Sequence, residues 1–417
     1  MEAAHNPAHD ASSHPRLSRR LVLVLAVGAA TAIANLYWGQ PLLAGIARTL
    51  HLSVRQASIM PTMAELGYAL GLALFVPLGD ILERRRLITA LLSACALFLA
   101  GIAIAPNAPM LYVSSLLLGI SASVVQVVVP LSAALAAPEE RGEVVGIVNC
   151  VMFLGILAAR ILSGFIGGAL GWRAMYWMAA LFNAAVAIAL TRLLPLSPPA
   201  QRLRYGQLMG SLKGVLAELP DLRESAILGA LGFAALQCLW GIIAFFVSHP
   251  PYHYGPRAAG LLALGGIPGA LLVPVVGRIA DRRSPILTTG VALAIGLSAY
   301  LFLALFGHHL VGLIIGVIIL DIGVHSNHVS NQTRVYALKP EARNRIATIY
   351  MVSYFFGGSL GTMAGANAWS LWGWAGVWGT GVLLFSLALL IFGRGRLIER
   401  RARLSIPSGA TVLRQMP

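Results

Sequence analysis

Residues 84–105 read RRRLITALLSACALFLAGIAIA: three arginines, then nineteen residues without a charge. At 1.5 Å per helical residue such a block reaches about 28 Å, close to the ~30 Å hydrocarbon core of a bilayer. The pattern recurs along the chain. Twelve apolar blocks lie at about 21–46, 57–78, 87–105, 110–136, 144–169, 174–194, 225–248, 258–280, 286–306, 310–337, 346–370 and 375–393. The 417 residues are 58% hydrophobic and 11% charged, against about 25% charged in an average soluble domain. That is too little polar surface for a water-soluble molecule of this length. The balance excludes an ordinary soluble enzyme, a disordered chain and a secreted disulfide scaffold. Spanning backbone must satisfy its own hydrogen bonds, and the blocks are long rather than alternating, so they read as helices and not as a barrel. The expected fold is an all-α membrane protein of twelve transmembrane helices.

An even number of spans places both termini on one side. Of the 30 Lys and Arg residues, roughly 25 fall in the loops and tails of that side. Only Arg48, Arg55, Arg173 and Arg257 fall on the other, and Arg160 lies inside a span. Basic loops stay in the cytoplasm, so both termini are expected there, in a bacterial inner membrane. The net charge of +15 is then an orientation signal, and no nucleic-acid partner is expected. The partners are the lipid bilayer and a small-molecule substrate, for a chain read as a monomer. Residues 1–20 form a polar cytoplasmic tail without the pattern of a signal peptide. Residues 21–194 form the first six-helix half. The Pro- and Arg-rich stretch 195–224 reads as a cytoplasmic linker with an amphipathic part near Leu208–Leu219. Residues 225–393 form the second half, and 394–417 a basic cytoplasmic tail.

The halves repeat. Gly79-Asp80 before Arg84-Arg85-Arg86 is echoed about 201 residues later by the run from Gly277 to Asp281, Arg282 and Arg283. Pro138-Glu139-Glu140-Arg141 corresponds to Pro340-Glu341-Ala342-Arg343, and Gly171-Trp172 to Gly373-Trp374, at an offset of 202. Gly155, Ala159 and Ser163 in the fifth span match Gly357, Gly361 and Gly365 in the eleventh. Small residues four apart let helix backbones approach closely in lipid. Such a seam serves either static packing or one half rocking against the other.

With these motifs the chain resembles the major facilitator superfamily over nearly its whole length. The runs Asn35 to Leu43, Leu66 to Gly71, Asn331 to Arg334 and Tyr354 to Gly358 are similar to its bacterial branch of drug/proton antiporters and sugar-efflux-like proteins. The resemblance implies two pseudo-symmetric six-helix halves. It also implies a latch that shuts the cytoplasmic gate, carried by Asp80, Arg84, Arg85, Glu139, Arg141, Asp281, Arg282, Glu341 and Arg343. The helix-five antiporter signature is partial: Ala159-Arg160 stands where members often have Gly-Pro.

Three ionisable residues lie mid-span, where a charge costs at least ~2.5–3.5 kcal/mol: Glu65, Arg160 and Asp321. Their repeat counterparts are Gly266, Thr362 and Gly119, so the scaffold does not require them. Glu65 is the leading candidate proton carrier; the plainer reading is a protonated side chain bonded to a neighbouring helix. Asp321, His325, His328 and Gln332 are spaced 4, 3 and 4 apart, on one face of the tenth span. Asp321 with His325 and His328 suits proton transfer. A metal site there lacks a further His or Cys ligand, so none is expected. Arg160 keeps its proton and needs a partner: Glu65, Asp321, backbone carbonyls or an anionic substrate. Tyr37, Gln40, Gln126, Asn149, Trp240, Gln332 and Tyr354, aromatic and amide residues within the spans, are candidate substrate contacts alongside Arg160.

The expected function is secondary active transport, as proton-coupled efflux of a small amphipathic compound by alternating access. The alternative is a proton-coupled symporter importing an anionic metabolite gripped by Arg160. An intramembrane enzyme is disfavoured because no nucleophile with a base accompanies the His/Asp stripe. No Gly-x4-Gly-Lys-Ser/Thr loop is present, so the proton gradient, with no cofactor, is the expected energy source.

Overall fold

A computed structural model describes residues 18–79, 81–196, 205–282 and 284–404. The gate residue Asp80, the tail to residue 17, linker residues 197–204 and the tail beyond 404 lie outside the described residues. Span 1 is the helix Arg19–Ala34, the 3-10 turn Gln40–Leu42 and the short helix Leu43–Thr49. Span 2 is Val54–Leu78 and span 3 is Arg84–Ile104. Span 4 is Ala108–Ala122 continued by Val125–Leu135, span 5 is Arg141–Leu170 and span 6 is Trp172–Leu193. The helix Tyr205–Glu218 leads to the second half. There span 7 is Pro220–Trp240 continued by Ile243–Ser248. Span 8 is Pro256–Leu261, the turn Leu262–Gly265 and Gly266–Arg282. Span 9 is Pro285–Phe306, span 10 is Leu310–Tyr336, and spans 11 and 12 share Arg343–Leu404. Nine of the described segments are long and apolar enough to cross a membrane as they stand. One of these, Arg343–Ile398, holds two crossings, and the broken spans 1 and 8 complete the twelve.

Local chemistry sets the ends. Glu83 caps span 3 by accepting hydrogen bonds from the backbone N–H groups of Arg85 and Arg86 at 3.0 and 2.9 Å. Asn107 caps span 4 through the N–H of Met110 at 3.1 Å. Both satisfy donors that a helix start leaves open. Gly171 at φ 85° and Gly373 at φ 57° make the equivalent reversals after spans 5 and 11, in a region that favours glycine. The repeated Gly-Trp pair is therefore a repeated corner. Two boundaries differ from the sequence reading by more than four residues. Span 7 starts at Pro220 rather than 225, because proline suits a first helical position. The last helix runs to Leu404 rather than 393; Arg396, in this extension, pairs with Glu224 of span 7 at 3.1 Å.

Large apolar side chains point outward, as lipid allows: Leu305 is 74% exposed and Leu390 71%. Polar groups turn inward. Asn35 and Asn183 exchange hydrogen bonds at 3.0 and 3.2 Å, and Trp38 Nε1 donates to Asn35 Oδ1 at 3.1 Å. This network pins the unwound stretch between Ala34 and Gln40, which interrupts span 1 and fixes the direction of Tyr37 and Gln40.

The two small-residue seams divide their work. In span 11, Gly357, Gly361 and Gly365 lie against the backbone carbonyls of Ala230, Ala234 and Cys238 in span 7, within one half. In span 5, Gly155 meets Ala30 of span 1 in the equivalent way. Farther along span 5, a Cβ at Gly164 would stand 2.6 Å from the carbonyl of Pro256 and 3.2 Å from Gly260 Cα, in span 8. That contact joins the halves on the face opposite the termini. The Ile243–Ser248 part of span 7 also packs there on Gln40–Leu42 and Leu43–Thr49. Near the terminal face, Gly142 and Gly146 of span 5 look onto open space.

Candidate functional site

A cavity of about 150 Å³ lies between the halves. Spans 1, 2, 4 and 5 contribute Tyr37, Tyr68, Gln126 and Arg160; spans 7, 8, 10 and 11 contribute Phe233, Gly266, Asp321, His325, His328, Tyr354 and Phe355. Met152, Phe153, Ile156 and Met351 make much of the rest of the wall apolar. Of the residues singled out in the sequence, Tyr37, Gln126, Arg160, Asp321, His325, His328 and Tyr354 line it, and Gln40 and Trp240 touch Arg160.

Arg160 is only 6% exposed. Its guanidinium carbon lies 4.0 Å from the ring centre of Trp240 and 4.7 Å from that of Tyr37. The rings come from opposite halves, and each contact is worth up to about 2 kcal/mol when desolvated. Nε donates to Gln40 Oε1 at 2.8 Å. Among the described residues no carboxylate lies within 4.0 Å of its nitrogens. The direct pairing with Glu65 or Asp321 that the sequence left open is therefore not made in this arrangement. Gly260 of span 8 lies flush on the Arg160 carbonyl, so the backbones of spans 5 and 8 approach closely here.

Asp321 is 3% exposed. Its Oδ1 lies 3.7 Å from His325 Nδ1, and Oδ2 has no hydrogen-bond partner among the described residues. His325 Nδ1 also lies 2.9 Å from the Asp321 carbonyl. Gly266 and Gly269 of span 8 leave room for the carboxylate: a Cβ at Gly269 would come within 3.2 Å of Asp321 Cβ. His328 Nδ1 is 3.2 Å from the Tyr350 hydroxyl, and its ring is 4.5 Å from that of Tyr354. Tyr354 in turn stacks on Phe233 at 4.2 Å. The stripe thus splits. Asp321, His325 and His328 reach the cavity, while Gln332 is half-buried and off its wall. On another face of span 10, Asn327 Nδ2 donates to the Leu228 carbonyl at 3.0 Å and Asn331 Nδ2 to Asn327 Oδ1 at 2.8 Å, bonds that hold the helices together.

Glu65 is not on the cavity wall. It is 2% exposed and crosses between the halves. Oε1 accepts a hydrogen bond from Gln237 Nε2 of span 7, and Oε2 accepts one from Thr362 Oγ1 of span 11 at 3.1 Å. Gly358 makes the space, with a Cβ there 3.3 Å from Oε2. Sequence reasoning missed Gln237 and Thr362 as partners. A signal existed for Gln237, an amide in an apolar block, one repeat offset from Asn35. Asn149 is half-buried and away from the cavity.

Apart from Asp80, which lies outside the described residues, the candidate gate residues lie at or near the ends of spans on the terminal face. Arg84 Nε donates to the Gly79 carbonyl at 3.0 Å and Arg141 Nε to that of Ala136 at 3.4 Å. Each ties the start of one span to the end of the one before. The backbone N–H of Arg85 is held by Glu83. Glu139, Glu341 and Arg343 are exposed. Asp281 and Arg282 close span 8, and their side chains are outside the described set. A separate ion network joins spans 7, 10 and 12: Arg334 meets Asp221 at 2.6 Å and Glu224 at 3.2 Å. Lys339 Nζ lies 2.8 Å from Glu218 of the linker helix, and that hydrogen bond holds its pKa above the ordinary lysine value.

No group of three or more His, Cys, Asp or Glu residues placed to hold a metal occurs among the described residues. The chemistry on offer is recognition and proton exchange in a small, partly apolar chamber shared by two halves.

The comparisons agree with this architecture. The family model described as Major Facilitator Superfamily matches residues 23–362. The uncharacterized transporter YgaY of Escherichia coli O157:H7 is 40% identical over 380 residues, covering 91% of this chain and 96% of that protein. A multidrug resistance protein B homolog of Mycobacterium tuberculosis (strain H37Rv) is 26% identical over 373 residues, covering 74% and 68%. The crystal structure of the nucleoside transporter NupG has a TM-score of 0.71 at 17% identity, covering 89% of this chain and 99% of that one; this likeness bears on the fold alone. The chain belongs to the major facilitator superfamily and is a membrane transporter of that type.

Proposed function

We propose that the protein exports a small amphipathic solute across the bacterial inner membrane, driven by protons, through alternating access to the central cavity. The observation that carries this reading is the cavity itself. Both halves build it, it mixes Arg160, Asp321 and His325 with aromatic and apolar walls, and the halves meet on the face opposite the termini. In this reading the terminal face is cytoplasmic, by its arginine excess, so the cavity loads from inside. The mycobacterial relative's description as a multidrug resistance homolog supports export.

Glu65 carries the coupling. A carboxylate that is alternately dry and wetted takes up and releases a proton. Here its two donors belong to the opposite half, so losing or gaining a proton changes a bond between the halves. Asp321 and His325 exchange protons with the cavity. The Asp80, Asp281 and arginine clusters form the cytoplasmic latch when the other face opens. The carrier works as a monomer in the bilayer, without a cofactor.

The test is flux in proteoliposomes with an imposed pH gradient, over a panel of drugs, sugars and organic acids. Uphill movement of one compound that collapses with the gradient is expected. Flux indifferent to pH would remove the coupling. A second reading, import of an anionic metabolite by symport, is favoured by one observation: among the described residues Arg160 has only neutral contacts. Accumulation of a labelled organic acid that is lost in Arg160→Ala would select it.

A further inference from the structure

The cavity presents two opposite charges that do not meet. Arg160, on the first half, is held by an amide and two aromatic rings, with no carboxylate within 4.0 Å among the described residues. Asp321, on the second half, has its Oδ2 buried without a hydrogen-bond partner among the described residues. The two stand on one chamber of about 150 Å³, half the ~300 Å³ at which drug-sized pockets begin. Gly266 of span 8 lies between the helices that carry them. A Cβ at Gly266 would stand 3.6 Å from Leu157, which is one turn before Arg160, and 3.8 Å from Asp321 Oδ1. The space beyond is apolar, formed by Met152, Phe153 and Ile156 with Met351.

From this geometry we infer that the cargo is a small zwitterion with an apolar group, of the amino-acid type: its carboxylate faces Arg160 and its ammonium faces Asp321. The inference rests on the reading that this cavity is the cargo site. A monoanion answers Arg160 and leaves Asp321 Oδ2 bare; a monocation does the reverse. Each leaves a buried polar group unpartnered, which a site built for both penalises strongly. The zwitterion has a further effect. Its two ends touch different halves, so it favours the arrangement in which the halves close around it, which is what a carrier requires of its cargo. His325, 3.7 Å from Oδ1, leaves Oδ2 available for the ammonium.

The experiment is calorimetric binding to the full chain in nanodiscs. Leucine, methionine and phenylalanine are each compared with the acid lacking the amino group and the amine lacking the carboxylate. At least one amino acid is expected to bind, with both of its analogues weaker by about tenfold or more. In Asp321→Asn the advantage over the deaminated acid should fall to within about threefold, while that over the amine persists; Arg160→Gln should do the opposite. Unchanged melting temperatures establish that the variants are folded. A deaminated acid or an amine binding as tightly as its parent overturns the inference, and so does failure of all three amino acids to bind. Proton-driven flux of a plain anion would sink this inference and leave the carrier reading standing. Zwitterion binding without flux would do the reverse.

Discussion

Thr362 of span 11 donates a 3.1 Å hydrogen bond to Glu65 of span 2, so a hydroxyl of one half is fastened to a carboxylate of the other. Gln237 of span 7 holds the second oxygen of the same carboxylate. An ionisable group in this position is both a titratable site and a joint. Its protonation state and the relation between the halves are therefore linked, since a change in one changes the donors and acceptors available to the other.

Glu65→Gln removes the proton and keeps the shape. Its amide carbonyl still accepts from Thr362, and once the Gln237 amide turns over, its NH2 donates to Gln237 Oε1, which has no partner among the described residues in the wild type. Binding and cargo exchange should persist, while uphill flux driven by a pH gradient falls by about tenfold or more. Transport assays with and without the gradient measure this. Full gradient-driven flux in the variant would refute the assigned role.

The seams make opposite predictions. Gly361 of span 11 packs on the Ala234 carbonyl within one half, so Gly361→Val overpacks a static contact. It should lower stability by about 1–3 kcal/mol, read as a drop in melting temperature in detergent. Gly164 packs on Pro256 and Gly260 across the halves. Gly164→Ala should instead weaken closure on that face with little loss of melting temperature. A Leu42→Cys probe, buried beside Gly167, should then label faster from the face opposite the termini.

The aromatic clamp should be measurable. Trp240→Leu removes one of the two rings on Arg160 and should weaken cargo binding by about 1 kcal/mol, roughly fivefold. Arg160→Lys keeps the charge but not the planar fork that stacks and bonds to Gln40, and should cost more than Trp240→Leu.

Orientation has its own test. A fluorescent protein fused after residue 417 should be bright and an alkaline phosphatase fused there inactive, as for a cytoplasmic terminus. The reverse result would invert the sidedness assigned to the cavity.

Much of this molecule is legible in its sequence. Lipid requires long apolar helices, so the blocks announce themselves, and the repeated Gly-Trp pair at 171 and 373 is visible in the sequence, although that it makes a corner is not. The interruptions in spans 1 and 8 were not legible, because the Asn35–Asn183 network that pins one of them joins residues 148 apart. The site was legible in part. Arg160 and Asp321 stood out because a charge in hydrocarbon needs a reason. That Arg160 rests between Tyr37 and Trp240 rather than on a carboxylate depends on the unwound turn of span 1. Glu65 was visible as a mid-span acid, but its place between the halves rather than on the cavity wall depends on how spans 2, 7 and 11 meet.

The central claim is that the chamber around Arg160 and Asp321 opens to each side of the membrane in turn. Its most direct test places a single cysteine at Met152, on the cavity wall, in a background where Cys95, Cys150 and Cys238 are serine. A membrane-impermeant thiol reagent is then applied from either face at acidic and at neutral pH. The account predicts labelling from the terminal face under one condition and from the opposite face under the other. Labelling from one face alone under every condition, or from neither, would contradict it.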